Sequence, residues 1–327
     1  MAQVVGREKN VSSFANNRVV QHTGADYPII QAPMAWIARS KLVGAVSAAG
    51  AMGILETSAR DIEASRREYD TIRTMTNRPF GINLAIKFLK GDEELERIVL
   101  DWALDGRVRF VTTSAGDPRR YIQRIHDAGV VAYHAVPSLE GALKAEDAGV
   151  DGLVVEGGES AGIRGAEPVH SLTLLQAVRE RVSLPIVAAG GIADGRGMAA
   201  AFALGAEGVA MGTRFVASTE SPVHENYKQA IVAAAVNGTG VLPVGGNAVA
   251  RALKAQPRPE GLEGEPPPKW PRNLIEDLYI GGRTDISRGS AGETAGLIRE
   301  VKPVADIVHD TVNGFWREID RLAALRG

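Results

Sequence analysis

Eight short apolar runs, each followed by a longer amphipathic stretch, constrain this chain more than any other feature. The runs are Pro28–Gln31, Ala51–Leu55, Phe80–Ala85, Val108–Thr113, Val130–Ala135, Gly152–Glu156, Pro185–Ala189 and Glu207–Met211. The amphipathic stretches include Arg39–Ala49, Arg60–Thr76, Glu93–Leu104, Arg119–Ala128, Ser138–Ala148, Leu172–Arg181 and Gly197–Leu204. Largely apolar strands separated by helices predict a parallel sheet covered by helices. Such a sheet either closes into a (β/α)8 barrel or stays open and doubly wound.

Two signs favour the barrel. HDAGVVAY, EDAGVDGLVV and LGAEGVAMG repeat one pattern: a helix end, an Ala–Gly or Gly–Ala pair at the C-cap, then an apolar strand. An open dinucleotide-binding sheet would need G-x-G-x-x-G after its first strand, and this chain has QAPMAW there. The expected fold is therefore an α/β TIM barrel over residues 1–220. A mainly helical and loop cap is expected over 221–300, with a final helix in 301–327 packing back on the barrel. The stretch PVGGNAVARALKAQPRPEGLEGEPPPKWP, with consecutive prolines at Pro266–Pro268, reads as a loop or linker.

Composition narrows the chemistry. The formal net charge is −2, which gives no support for nucleic acid or a membrane as partner. There are no cysteines, so disulfides, thiolate metal sites and cysteine nucleophiles are excluded. No histidine pair has metal-ligand spacing, and no metal is expected. No segment approaches the roughly 18–20 apolar residues of a membrane span. The first residues, MAQVVGREKNVSS, lack the apolar core of a signal peptide. A cytoplasmic enzyme with a small-molecule substrate is the expectation, with a homodimer as the candidate assembly.

Function in a barrel sits at the C-terminal ends of the strands. Those positions hold Ala32, Pro33, Met34 and Trp36; Asn83; Tyr133 and His134; Glu156; Gly190 and Gly191; and Met211, Gly212 and Thr213. Gly157–Gly165 adds a loop with four glycines in nine residues. The glycine pairs after the last two strands allow main-chain N–H groups to approach an anion, as phosphate loops do in barrels. Asn83 offers donor and acceptor on one amide. A planar, singly phosphorylated, hydrogen-bonding ligand fits this set, and flavin mononucleotide (FMN) is such a molecule. A sugar phosphate would satisfy the phosphate site equally well.

The ordered motifs QAPMAW, FGINLAI, VVEGGESAG, PIVAAGGIADGRG, ALGAEGVAMGTRF and ESPVHENYK resemble the nitronate monooxygenase family, once called 2-nitropropane dioxygenases. They are similar also to the related flavin-dependent NADH:quinone reductases and flavin enoyl-acyl-carrier-protein reductases. The resemblance implies non-covalent FMN. By position, Gly190, Gly191, Gly212 and Thr213 would hold its phosphate. Ala32, Pro33, Met34, Asn83, Glu156, Gly157, Ser160, Ala161, Gly162, Met211 and the returning Gly292 would lie at the rest of it.

One departure changes the expected activity. Where the family carries its catalytic histidine, this chain has Ile163. An isoleucine moves no proton, and a placed acid or base is worth about 10²–10⁴-fold. The expectation is an oxidoreductase using NAD(P)H to reduce a quinone or an activated alkene. Trp36, Ile163 and Arg164 would meet the substrate, with Tyr133 or His134 as catalytic proton donor. Nitronate oxidation with a displaced base is the alternative. A non-redox barrel binding a phosphorylated metabolite, a lyase or isomerase, is the alternative of another class.

Overall fold

The computed structural model describes residues 14–58, 62–89, 93, 97, 100–102, 108–165, 167–254 and 273–326. The first thirteen residues, most of the expected helix 93–104 and the proline run in 255–272 lie outside the described residues.

Helix α1 (Arg18–Thr23) precedes strand β1 (Ile29–Gln31). There follow α2 (Ser40–Ala48), β2 (Gly53–Leu55), α3 (Ile62–Met75), β3 (Phe80–Ala85), α4 (Ile86–Leu89) and β4 (Phe110–Ser114). Next come α5 (Arg119–Asp127), β5 (Val131–Val136), α6 (Leu139–Asp147), β6 (Gly152–Glu156) and the short β7 (Gly162–Gly165). The barrel ends with α7 (Ser171–Arg179), β8 (Ile186–Ala189), α8 (Gly195–Ala203), β9 (Gly208–Met211) and α9 (Thr213–Val216). Eight parallel strands run in the order β1-β9-β8-β6-β5-β4-β3-β2. The ring closes between β1 and β2 through the parallel bridge Ile30–Met52, where Met52 N donates to Ile29 O at 2.8 Å and Gln31 N to Met52 O at 2.9 Å. This is the expected TIM barrel.

The repeated glycine signal has a conformational cause. Gly129, Gly149 and Gly205 follow α5, α6 and α8 with φ of 70°, 83° and 95°. Each N–H returns to a carbonyl three residues back, to His126, Glu146 and Phe202, so the glycines end the helices as left-handed caps.

Strand alternation builds two apolar layers. Ile30, Met52, Ile54, Phe110, Tyr133 and Val187 fill the barrel interior. Their strand neighbours, such as Ile29, Leu55, Val111 and Ile186, pack outward under the helices. Helix α1 covers the N-terminal mouth. Its Arg18 bonds Glu207 and donates to Ser183 O at 3.0 Å, both just before strands.

After the barrel come α10 (Glu225–Val232), β10 (Thr239–Gly245), β11 (Ala248–Leu253), a π-helical turn at Leu274–Ile280 and a 3-10 turn at Glu293–Leu297. The last long helix is α11 (Val304–Ala323). Here the structure departs from expectation. The segment from Pro243 to Leu253 is no linker. β10 and β11 form an antiparallel hairpin, and β11 pairs with β7, register Ile163–Ala250. The outer half of the glycine-rich loop is therefore a strand of a small three-stranded sheet. Helix α11 packs on α8 and α2 with Val308, Val312 and Phe315 buried; the apolar face fades at Leu322, 43% exposed. Among the described residues no helix is long and apolar enough to cross a membrane, and no group of three or more potential ligands is set to hold a metal.

Candidate functional site

The C-terminal mouth is built from strand ends tied together by loop backbone. Gly157 N donates to Ala189 O at 2.9 Å, joining the ends of β6 and β8. Ala32 N donates to Met211 O at 3.0 Å, joining β1 and β9. Gly292 N donates to Thr213 Oγ1 at 3.0 Å, and Glu293 N to Glu159 O at 2.9 Å, so the 3-10 turn returns to the mouth.

Gly190 and Gly191 both have left-handed backbone, φ 93° and 76°. A Cβ on Gly190 would lie 3.1 Å from Gly157 O and 3.3 Å from Ser160 N. One on Gly212 would lie 3.6 Å from Met34 Sδ and 3.7 Å from Ala32 Cβ. One on Gly292 would lie 2.8 Å from Glu159 O and 3.4 Å from Ala161 N. Ala32, Met34, Glu156, Gly157, Ser160, Ala161, Gly190, Gly191, Met211, Gly212, Thr213 and Gly292 are thus one contiguous surface at one end of the barrel. Asn83 faces it from β3. Its Oδ1 accepts from Thr112 Oγ1 at 2.9 Å, and its Nδ2 donates to Ser114 Oγ at 3.3 Å.

Glu156 ends β6 inside the barrel. Burial pushes its carboxyl pKa up, opposed by the Ser160 hydroxyl, which donates to Oε1 at 2.7 Å, and by the charge of Arg164. Glu159 does not turn to the mouth's centre. Its carboxylate accepts from Ser171 N at 3.0 Å and from Ser171 Oγ at 2.9 Å, capping α7, whose own N-cap His170 makes no side-chain cap bond. A carboxylate there also meets the positive end of the helix dipole.

Ile163 and Arg164 point to opposite faces of β7. Ile163 is 61% exposed and has Ala250 beside it in the sheet. Arg164 turns inward and donates through Nη1 to Gly158 O. Burial lowers its pKa, against the charge of Glu156. Arg251 of β11 lies alongside, donating to Gly158 O at 3.3 Å and pairing with Glu293 at 2.9 Å. The sequence reading missed Arg251 and Glu293 because it did not expect the hairpin. Gly245-Gly246-Asn247 between two apolar runs was the available signal.

Trp36 stands on strained backbone, φ 64° without being glycine. Its N–H donates to Glu56 Oε1 at 2.8 Å. Its ring stacks on Tyr279 of the π-helical turn at 5.6 Å, and Tyr279 stacks on Tyr227 at 5.6 Å. Strain of this kind costs about 1–3 kcal/mol and concentrates at functional sites. Glu56, buried at the end of β2, was not singled out from the sequence.

Neither expected proton donor reaches this mouth. Tyr133 is fully buried, and its hydroxyl meets His22 Nδ1 of α1 at 3.0 Å, at the opposite end of the barrel. His134 follows it on β5 and so faces outward. Its Nδ1 lies 2.7 Å from Thr113 Oγ1, whose neighbours Thr112 and Ser114 are the residues turned in towards Asn83. Burial pushes the His134 pKa down to about 4, against a smaller upward pull from Asp117. The unfolded chain therefore takes up a proton below about pH 6.5 that the folded chain refuses until about pH 4. Stability is full above the first value and falls by about 3 kcal/mol across that window. His134→Gln should flatten that part of a stability–pH profile, measured by urea unfolding; an unchanged slope would contradict the assignment.

An eight-stranded β/α barrel with a glycine-lined C-terminal mouth defines a class shared by many enzymes, and comparison narrows it. The nitronate monooxygenase family model matches residues 16–99 and 84–260, and the chain belongs to that family. A Mycobacterium tuberculosis (strain ATCC 25618 / H37Rv) protein named (3aS,4S,5R,7aS)-5-hydroxy-7a-methyl-1-oxo-octahydro-1H-indene-4-carboxyl-CoA dehydrogenase is 33% identical over 221 residues, 67% of this chain and 60% of that protein. The Rhodococcus jostii (strain RHA1) protein of the same name is 34% identical over 70% of this chain and 63% of its own length. The matches thus span less than two thirds of either relative. A nitronate monooxygenase of Paraburkholderia phytofirmans is 29% identical across 91% of this chain and 95% of its own. Among solved structures, FabK of Thermotoga maritima superposes with a TM-score of 0.83 at 34% identity, covering 94% of this chain and 99% of that one.

Proposed function

We propose that the protein is an FMN-dependent oxidoreductase that uses NAD(P)H to reduce a quinone or an activated alkene. The observation that carries the reading is the left-handed Gly190–Gly191 turn beside Gly212 and Thr213 at the C-terminal mouth of the barrel. The residues present fit FMN. Gly190 and Gly191 adopt backbone that side chains disfavour, beside Gly212 and Thr213 on the neighbouring strand end. The Glu159 carboxylate, 3.6 Å from where a Gly191 Cβ would sit, is turned to the start of α7 by Ser171. When bound, FMN supplies two-electron redox chemistry.

The chain's own residues shape what can react there. The half-buried Trp36 ring, backed by the buried Tyr279 and Tyr227 stacked behind it, offers a flat apolar face suited to a planar acceptor. Glu156, its acid form favoured by burial, can hold a proton at its carboxyl for the α-carbon of an alkene acceptor. Arg164 and Arg251 give positive charge beside the mouth for a phosphate or carboxylate tail. The names of the Mycobacterium and Rhodococcus relatives favour a coenzyme A thioester among such acceptors.

Anaerobic mixing of FMN-loaded protein with NADH and NADPH tests the reading. Rapid bleaching of the flavin band, followed by recovery on adding a quinone or enoyl thioester, is the expected result. Bleaching by a nitronate alone would support the second reading, nitronate oxidation, which the family membership favours. Ile163→His is expected to raise nitronate turnover by far less than the roughly 10²-fold a placed base gives, because position 163 faces away from Glu156. A steep rise in a steady-state oxygen-uptake assay would contradict that orientation.

A further inference from the structure

A cavity of about 590 Å³ lies outside the mouth, between the start of α8, the middle of α11 and the segment 297–302. No residue of the Gly157–Gly165 loop lines it. Its carboxylates are all engaged. Asp194 caps α8 and pairs with Arg196 at 2.9 Å. Glu300 and Asp310 hold Lys302 at 3.0 and 2.8 Å, and Glu318 holds Arg321 at 2.7 Å.

Three guanidiniums line the cavity. Among the described residues, Arg299 and Arg317 make no ion pair. Arg214 is only 7% exposed; its Nη2 donates to Ala217 O at 2.6 Å and to Glu300 O at 2.8 Å, and its Nε is closed off from the cavity, so it contributes a fixed positive charge in the cavity wall. Arg299 and Arg317 are exposed at the cavity and free to turn into it. An oxyanion meets such a pair best, because guanidinium groups bind phosphate through paired charge-assisted bonds. The volume suits a nucleotide-sized ligand.

We propose that this cavity is a second anion site, taking the phosphate group of a small molecule through Arg299 and Arg317 beside the fixed charge of Arg214. The site is separate from the flavin mouth, although Arg214 follows Thr213 directly in the chain. FMN-saturated protein titrated calorimetrically with inorganic phosphate, and separately with ADP, tests it. Saturable binding is expected for at least one. ADP binding much tighter than phosphate would indicate a nucleotide; equal binding would indicate the free ion. R299S/R317S, checked for an unchanged melting temperature, should weaken binding by about tenfold or more. If that variant melts early, R299S alone should still weaken binding measurably. Absence of saturable binding to the wild type, or binding that survives loss of both arginines, would overturn the proposal.

Discussion

Valine in place of Gly190 is expected to weaken FMN binding by about one to two orders of magnitude, from roughly 1–3 kcal/mol of backbone strain and the contact it forces. At φ 93° an L-residue is disfavoured, and its Cβ would press on Gly157 O at 3.1 Å. Those atoms belong to the Gly157–Gly165 loop. That loop would have to shift, carrying Ser160 with it. Gly129→Val makes the control. Gly129 has the same left-handed backbone, φ 70°, but a Cβ there meets nothing within 4 Å, far from the mouth. It should cost stability and leave FMN affinity unchanged. Equilibrium dialysis with FMN reads both variants. Equal FMN affinity in the two would show that the Gly190 turn does not form the cradle.

Gly195→Ala should be among the most destabilising single-methyl additions in the chain. Its Cβ would lie 2.1 Å from Phe315 N, 2.3 Å from Gly314 C and 2.5 Å from Thr311 O. All three atoms are backbone of α11, so no rotamer change relieves the clash. Gly195 and Gly314 are what let α8 and α11 touch, and α11 must move away as a body. Overpacking usually costs about 1–3 kcal/mol, and a backbone obstacle places this case at about 3 kcal/mol or more. Denaturant unfolding should show that loss. A change within about 0.5 kcal/mol, the range of an ordinary surface substitution, would mean that the two helices do not meet as described.

Much of the barrel was legible because its signals are local. Each of the eight strands is an apolar run, and each Ala–Gly or Gly–Ala pair marks a helix end whose geometry needs left-handed backbone. The glycine-rich strand ends also came together as expected, since parallel strands put all their C-termini at one mouth. What did not follow was orientation. Tyr133 and His134 are adjacent, so at most one could face the barrel interior. The register placed Tyr133 deep, against His22, and turned His134 to the helix layer. The hairpin was missed for another reason. Pro243 and the glycines read as a connector, although Pro243 sits on the outer strand, at a bulge, where its missing N–H costs little. Pairing with that hairpin turns Arg164 in and Ile163 out, a long-range effect that residues 157–165 alone do not encode.

FMN retention by the wild-type chain addresses the central claim most directly. Purified protein incubated with FMN and then desalted should keep stoichiometric flavin, seen as a visible absorption band that comigrates with the protein. A preparation that emerges colourless, with no flavin bound at saturating FMN, would contradict the account.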